Sequence, residues 1–439
     1  MDSQEASMAH SKIRERLFLA LSIVSFVVIC CVSSVGVSQF FRVYHVSYDP
    51  AALSQAAVWS GAFALVFVLF VFAEFSFGYF VGFYFAAMVL GYLWLSFFSV
   101  LDYDHHTARV SAAVSAVAFL LPALFVSSPL PRMRAMPARL FDRLLQAIFL
   151  ICLATVVFAS AYNFRFVSPG DASNLRTDAF PAILNYLISI TSISLLPFLF
   201  ACTVARRNLW QAAAVLVLML FYYPIAVSKT AFFAPAWLVV MWALSRFFGT
   251  RMAVVLSLLL PILAGVLLLP FFNHSSGPLP VALSYFFNVN FRILAVPSLA
   301  MDLYNDFFSK HDLTYFCQIS ILKSISGCPY REQLGVVMLK YFPGGGNYNA
   351  SLFATEGIAS VGTVLAPVSV FVCGLIIALG NRASSGLPPF FILVSSAILV
   401  QVLLNVPLST GLLTYGGGFL FLLWYLTPRE MFEQERWGE

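Results

Sequence analysis

Apolar runs of membrane-spanning length recur about twelve times along this chain of 439 residues, and that repetition leaves few folds open. A hydrocarbon core about 30 Å thick takes roughly 20 apolar residues per helix. Inside it every backbone N–H and C=O must be bonded within the protein, so only helices or closed barrels can cross. A barrel would show short segments of alternating polarity, whereas these runs are long and solid. Hydrophobic residues make up 61% of the chain, charged residues 10%, and mean hydropathy is +0.90. That is too little polar surface to coat a water-soluble globule of this length. The sequence predicts an all-α polytopic membrane protein.

The predicted spans are Leu17 to Val37, Ala52 to Phe75, Phe77 to Val100, Val110 to Val126, Leu144 to Tyr162, Phe180 to Val204, Leu209 to Val227, Ala231 to Phe247, Met252 to Phe272, Leu352 to Gly380, Pro389 to Val406 and Leu412 to Leu426. Around Phe75 to Phe77 the division is narrow, with Glu74 the only nearby charge, and a single re-entrant pair would give the same pattern.

Cations orient the chain. Lys12, Arg14, Arg16, Arg132, Arg134, Arg139, Arg143, Arg206, Arg207, Arg246, Arg251, Arg382, Arg429 and Arg436 fall on one side; Arg42, Arg109, Arg165, Arg176 and Lys229 fall on the other, so 14 face 5. The positive-inside bias then puts both termini in the cytoplasm. The expected organisation is a cytoplasmic N-terminus (1–16), nine spans (17–272), a large outer loop (273–348), three spans (349–426) and a cytoplasmic tail (427–439). The first span, with its basic start, reads as an uncleaved anchor because keeping it preserves the alternation. The net charge of +5 is dispersed among membrane loops, so no nucleic-acid partner is expected.

Five of the seven cysteines sit inside spans, where they read as packing residues. Cys317 and Cys328 fall in the outer loop, where disulfides persist; bridged and free forms are both open. No CxxC, HExxH or paired-histidine spacing suggests zinc, and no nucleotide-binding glycine motif occurs. No metal or cofactor is expected. The Gly344-Gly345-Gly346 run reads as a turn into the tenth span.

The outer loop is too long for a plain connector. It carries His274, Arg292, Asp302, Tyr304, Asp306, Lys310, His311, Asp312, Lys323, Arg331, Glu332 and Lys340. Its apolar patches, Ala282 to Phe287 and Phe307-Phe308, suggest a segment folded against the membrane surface. Arg292, among apolar neighbours, is either a snorkelling cation or a phosphate clamp. Lys229 is the only charge in a tight outer turn, either an anchor at the headgroups or a ligand for a lipid-borne anion. His311 and Asp312 are candidates for a base, with chance occurrence the alternative. Glu356 lies about a turn inside the tenth span, where an ionisable group must be paired or face a polar cavity.

Three segments resemble the bacterial oligosaccharide repeat-unit polymerases of the Wzy type: Ser228-Lys229-Thr230-Ala231, Arg292 to Pro297 followed by Tyr304 to Phe308, and Asn349-Ala350-Ser351 through Glu356-Gly357 to Gly362. The closing Asn405 to Gly416 is similar to their last hairpin, so the resemblance covers roughly 220 to 426. It implies a GT-C-like fold in the bacterial inner membrane and a periplasmic loop that helps build the active site. The implied reaction moves a glycan from undecaprenyl pyrophosphate to the next lipid-linked unit. Members often have arginine where this chain has Lys229, which keeps the charge but loses the planar fork.

On that reading Lys229, Arg292 and, more weakly, Arg331 bind the pyrophosphate, with Tyr304 among the aromatics available for stacking. His311, Asp312 or Glu356 serves the acceptor hydroxyl. A chain-length regulator and a flippase are the partners to expect. Two rivals stay open: a ligase that hands the glycan to a lipid A core, and a flippase or secondary transporter. Transporters gather ionisable groups near the midplane, often in repeated halves; here they gather in one outer loop and no repeat is visible.

Overall fold

A computed structural model of the chain describes residues 2–131, 136–168, 180–271, 281–319, 322, 327–343 and 353–433, with residues 2–11 and 433 by their backbone alone. Arg132, Arg134, Arg176, His274, Lys323, the Gly344-Gly345-Gly346 run, Asn349-Ala350-Ser351 and Arg436 lie outside the described residues. What is described is nearly all helical and has no strand.

Ten helices are long and apolar enough to cross a membrane among the described residues. They are α1 (Lys12–Phe40), α2 (Pro50–Phe72), α3 (Phe77–Leu95), α4 (His105–Phe125), α5 (Ala138–Ser160), α6 (Ala182–Ala205), α7 (Leu209–Ala226), α8 (Lys229–Phe248), α9 (Thr250–Phe271) and, after α10 (281–308) and α11 (Leu334–Tyr341), α12 (Phe353–Ser384). The two remaining predicted spans correspond to shorter apolar helices, α13 (Pro389–Leu403) and α14 (Gly417–Leu426). The 10 residues of α14 reach only about 15 Å, half the hydrocarbon thickness. The narrow division after α2 is a true break: Ala73 is extended, and the Ser76 hydroxyl accepts the Tyr79 N–H at 3.0 Å, capping α3.

The chain forms two compact units. The first comprises residues 1–125, 251–377 and 404–408. At its heart is α3, every residue of which is buried; a helix apolar all round is stable only when it is enclosed. Phe26, Phe67, Phe70, Tyr79 and Phe83 interlock around it at ring separations of 5.1 to 6.1 Å. Glycine allows close approach here, since a Cβ at Gly91 would stand 2.5 Å from Ser298 Oγ.

Ser298 belongs to α10, the first half of the expected outer loop. This segment is embedded in the unit instead of lying on a membrane surface. Ser298 donates to the Met88 carbonyl of α3 at 3.0 Å, and Asn290 donates to Ser33 of α1 and the Ile262 carbonyl of α9 at 3.0 and 2.8 Å. Ala282 and Phe286 are buried, and every residue from Pro297 to Phe308 is buried. The polar residues of α10 lower its hydropathy below that of a span, yet they are the ones that bond to the neighbouring helices.

The second unit comprises residues 126–250, 378–403 and 409–439. Within it α6 widens at Thr191–Leu195 into a π-helical turn, where Thr191 accepts the Tyr222 hydroxyl at 2.7 Å. Helices α7 and α8 join through only Val227, left-handed at φ 43°, and Ser228, whose hydroxyl caps the Ala231 N–H at 3.2 Å. Arg429 donates to the carbonyls of Ala383, Ser385, Trp424 and Thr427, closing helix ends that have no intrahelical partners.

Candidate functional site

Several candidate groups of the first unit lie on or beside a break in α12. The helix opens with a π-helical turn at Phe353–Ala359 and is interrupted at Gly362, whose φ of 80° and ψ of 162° suit only glycine. A break releases backbone carbonyls, which must find donors. The Thr314 N–H donates to the Ala359 carbonyl at 2.8 Å and the Tyr315 N–H to the Ser360 carbonyl at 3.2 Å. Tyr315 and Phe316 take positive φ of 46° and 62° to make this turn, a conformation rare for residues with a Cβ. Cys317 and Cys328 form a disulfide immediately beyond it.

This pinning carries His311 and Asp312 to the base of the break. The His311 ring stacks on Phe307 at 4.1 Å with 4° between planes and meets Tyr341 edge-on at 5.1 Å. Its Nδ1 lies 2.8 Å from the Phe307 carbonyl. A carbonyl can only accept, so Nδ1 carries the proton and Nε2 of the neutral ring keeps the lone pair. Asp312 is exposed, and its backbone carbonyl accepts the Tyr330 hydroxyl at 2.7 Å. Tyr330 also packs on Phe307 and Phe308, at 5.9 and 6.0 Å, and the exposed Arg331 follows it in the chain.

Glu356 is 6% exposed, within the π-helical turn. Tyr304 of α10 is wholly buried, and its hydroxyl has no hydrogen-bond partner among the described residues. Burial and then the nearby Glu356 charge push the Tyr304 hydroxyl well above its ordinary pKa. Tyr304 and Glu356 are thus brought together, and the segment that carries His311 and Asp312 is pinned to the end of the same turn.

Arg292 is not brought there. It is exposed on the π-helical stretch of α10, near Tyr44, whose pKa is raised by burial and lowered by the arginine. Tyr304 stands twelve residues further along the helix, roughly 18 Å at about 1.5 Å per residue. Lys229 is the first residue of α8, half-buried, in the second unit.

A buried polar network beside the break has no counterpart in the sequence reading. Asp302, 3% exposed, accepts from Ser99 Oγ at 2.6 Å and from the Tyr103 hydroxyl. Tyr103 meets the Tyr92 hydroxyl at 3.0 Å, and Asn305 links Tyr92 to Thr363, the residue after Gly362. Burial raises the Asp302 pKa to about 6, against the opposing effect of its two hydroxyl donors. Next to it the Lys310 ammonium pairs with Asp306 at 2.5 Å, which raises the lysine pKa. The only sequence signal for this network is the i, i+3, i+4 recurrence of polar residues at 302, 305 and 306, which looks like an exposed face until partners on α3 are known.

No protein-family model matches the chain, and neither a curated protein nor a solved structure shows significant similarity to it.

Proposed function

We propose that this protein is a membrane glycosyltransferase that polymerises undecaprenyl-pyrophosphate-linked oligosaccharide repeat units. The observation that carries the reading is a buried Glu356 in the broken helix α12, with the segment bearing His311 and Asp312 pinned to that break. Irregular backbone at membrane depth is tolerated where it lines a cavity, and an intramembrane carboxylate beside it marks a functional site by default. The resemblance of residues 220–426 to repeat-unit polymerases supplies the substrate class and a GT-C-like fold.

In this reaction the acceptor hydroxyl attacks the anomeric carbon of the donor. The new glycosidic C–O bond forms as the anomeric C–O bond to pyrophosphate breaks, and the pyrophosphate leaves with the electron pair. Nε2 of His311 takes the hydroxyl proton, with Glu356 or Asp312 orienting the acceptor. Arg331, next in the chain to Tyr330, which bonds the Asp312 carbonyl, neutralises the departing charge. Arg292, at its distance along α10, holds the carrier end of the donor, and the resemblance gives Lys229 a part in donor binding. A Cys317–Cys328 disulfide suits an oxidising compartment, which supports a periplasmic site, both termini in the cytoplasm and residence in the bacterial inner membrane.

The test is purified protein supplied with a lipid-linked repeat unit, with products sized on a gel. A ladder of chain lengths is expected. His311→Ala and Glu356→Gln should slow elongation by about 10²- to 10⁴-fold, and Arg292→Ala should remove long chains at unchanged protein levels. Lys229→Ala should impair donor use more than Lys229→Arg. No ladder from the folded protein rejects the polymerase reading.

The broken α12 with Glu356 favours a second reading, a transporter of lipid-linked sugar. Translocation of labelled donor in vesicles without chain growth identifies that activity.

A further inference from the structure

Arg109 lies one turn into α4, in the first unit, two residues before Ser111, whose hydroxyl donates to the Thr363 carbonyl beside the break in α12. Its guanidinium sits 4.0 Å above the Phe97 ring and 5.8 Å from Trp59, which itself meets His106 edge-on at 5.9 Å. Three elements therefore converge on one cation: α2 through Trp59, the segment after α3 through Phe97, and α4. Arg109 is half-buried; its Nε is enclosed and has no hydrogen-bond partner among the described residues.

The acids closest in charge to Arg109 are Asp104 and Asp302, and both are engaged elsewhere. Asp104 accepts the N–H groups of His106 and Thr107 at 3.1 Å, and Asp302 accepts Ser99 and Tyr103. None of the ion pairs among the described residues includes Arg109. The charge of both acids reaches Arg109, yet among the described residues neither gives it a hydrogen-bonding oxygen, and an enclosed donor left without an acceptor is unfavourable. Stacking occupies the face of the plane and leaves its edge free to donate, and with Nε enclosed that edge is formed by the two terminal nitrogens. A rigid fork of this kind matches oxyanion geometry, and aromatic seating holds it in place.

We propose that Arg109, seated on Phe97 and edged by Trp59, binds a phosphate oxyanion. Phosphate is the anion abundant where spans begin, at the headgroup level. The group comes either from a lipid headgroup or from free phosphate, and its binding is tested without recourse to the glycosyltransferase reading.

Native mass spectrometry of the full-length protein in detergent provides the test, with phosphatidylglycerol, with diacylglycerol as the phosphate-free control, and with inorganic phosphate alone. The wild-type protein is expected to retain phosphatidylglycerol that Arg109→Gln loses, with diacylglycerol retained equally by both. A rise in melting temperature with inorganic phosphate, present in the wild type and absent in Arg109→Gln, assigns the site to free phosphate if no lipid is held. Arg109→Lys, which keeps the charge and loses the fork, and Phe97→Leu, which removes the platform, should each weaken binding about fivefold. If folded Arg109→Gln binds lipid and phosphate as the wild type does, the proposal is overturned. Should that variant not fold, undiminished binding by Arg109→Lys and Phe97→Leu overturns it equally.

Discussion

Thr363 donates its hydroxyl to the side-chain carbonyl of Asn305 at 2.8 Å, one residue past the break in α12. The nitrogen of the same amide donates to the Met301 carbonyl at 2.9 Å and reaches the Tyr92 hydroxyl at 3.4 Å. Only a side chain with both a carbonyl and an NH₂ group satisfies these partners together. Asn305→Leu is expected to lower stability by about 1–3 kcal/mol, because it leaves buried hydroxyls unpaired. Thr363→Val should lower it less. The double variant should fall short of the sum, since the two residues share one bond; additive melting shifts in detergent would show that they do not.

Asp302 gives the protein a pH dependence of defined sign. Its folded pKa of about 6 lies above the ordinary value of 3.8 for an aspartate, so the folded state holds the proton more tightly than the unfolded chain. The stability this contributes is complete below the ordinary value and is lost as pH rises through about 6. A shift of this size corresponds to roughly 3 kcal/mol. Melting temperatures measured from pH 4 to 7 should decline across that window in the wild type, and the decline should flatten in Asp302→Asn.

Gly265 has no room for a side chain. A Cβ there would stand 1.8 Å from Asn290 Oδ1, and moving Asn290 breaks its bonds to Ser33 and Ile262. Gly265→Ala should destabilise the first unit by about 2–4 kcal/mol, combining overpacking with lost buried hydrogen bonds. Gly61, where a Cβ meets nothing within 4 Å, is the control: Gly61→Ala should be neutral or slightly stabilising in the same melting assay.

The Cys317–Cys328 bridge closes a loop with a sequence separation of 11. Non-reducing digestion should yield the linked peptide by mass spectrometry. Cys317→Ser is expected to lower stability by about 2–4 kcal/mol and to loosen the turn at Thr314 and Tyr315 that holds the carbonyls of Ala359 and Ser360. Faster hydrogen exchange at the Thr314 and Tyr315 amides would report that loosening directly.

Membrane helices are legible in a sequence because the bilayer imposes one local rule, a run of apolar residues of fixed length. That rule identified ten long helices, separated α2 from α3 where Ser76 caps the join, and singled out Lys229 at the tight join of α7 and α8. It also marked Glu356 as an ionisable group out of place. It failed for α10, where Asn290, Ser298, Asp302 and Asn305 read as loop polarity although each is buried and bonded to another helix or to the segment after α3.

The sequence by itself determined the fold class and the chemistry available, since composition and hydropathy depend on neighbours in the chain alone. Tertiary structure decided which of those groups meet. It set Tyr304 beside Glu356, pinned the segment of His311 and Asp312 to the break at Gly362 and left Arg292 far along α10. It also built the Asp302 network from residues about two hundred positions apart. The physical reason is that a hydrogen bond or an ion pair acts over a few ångströms, and only packing of distant helices sets that distance.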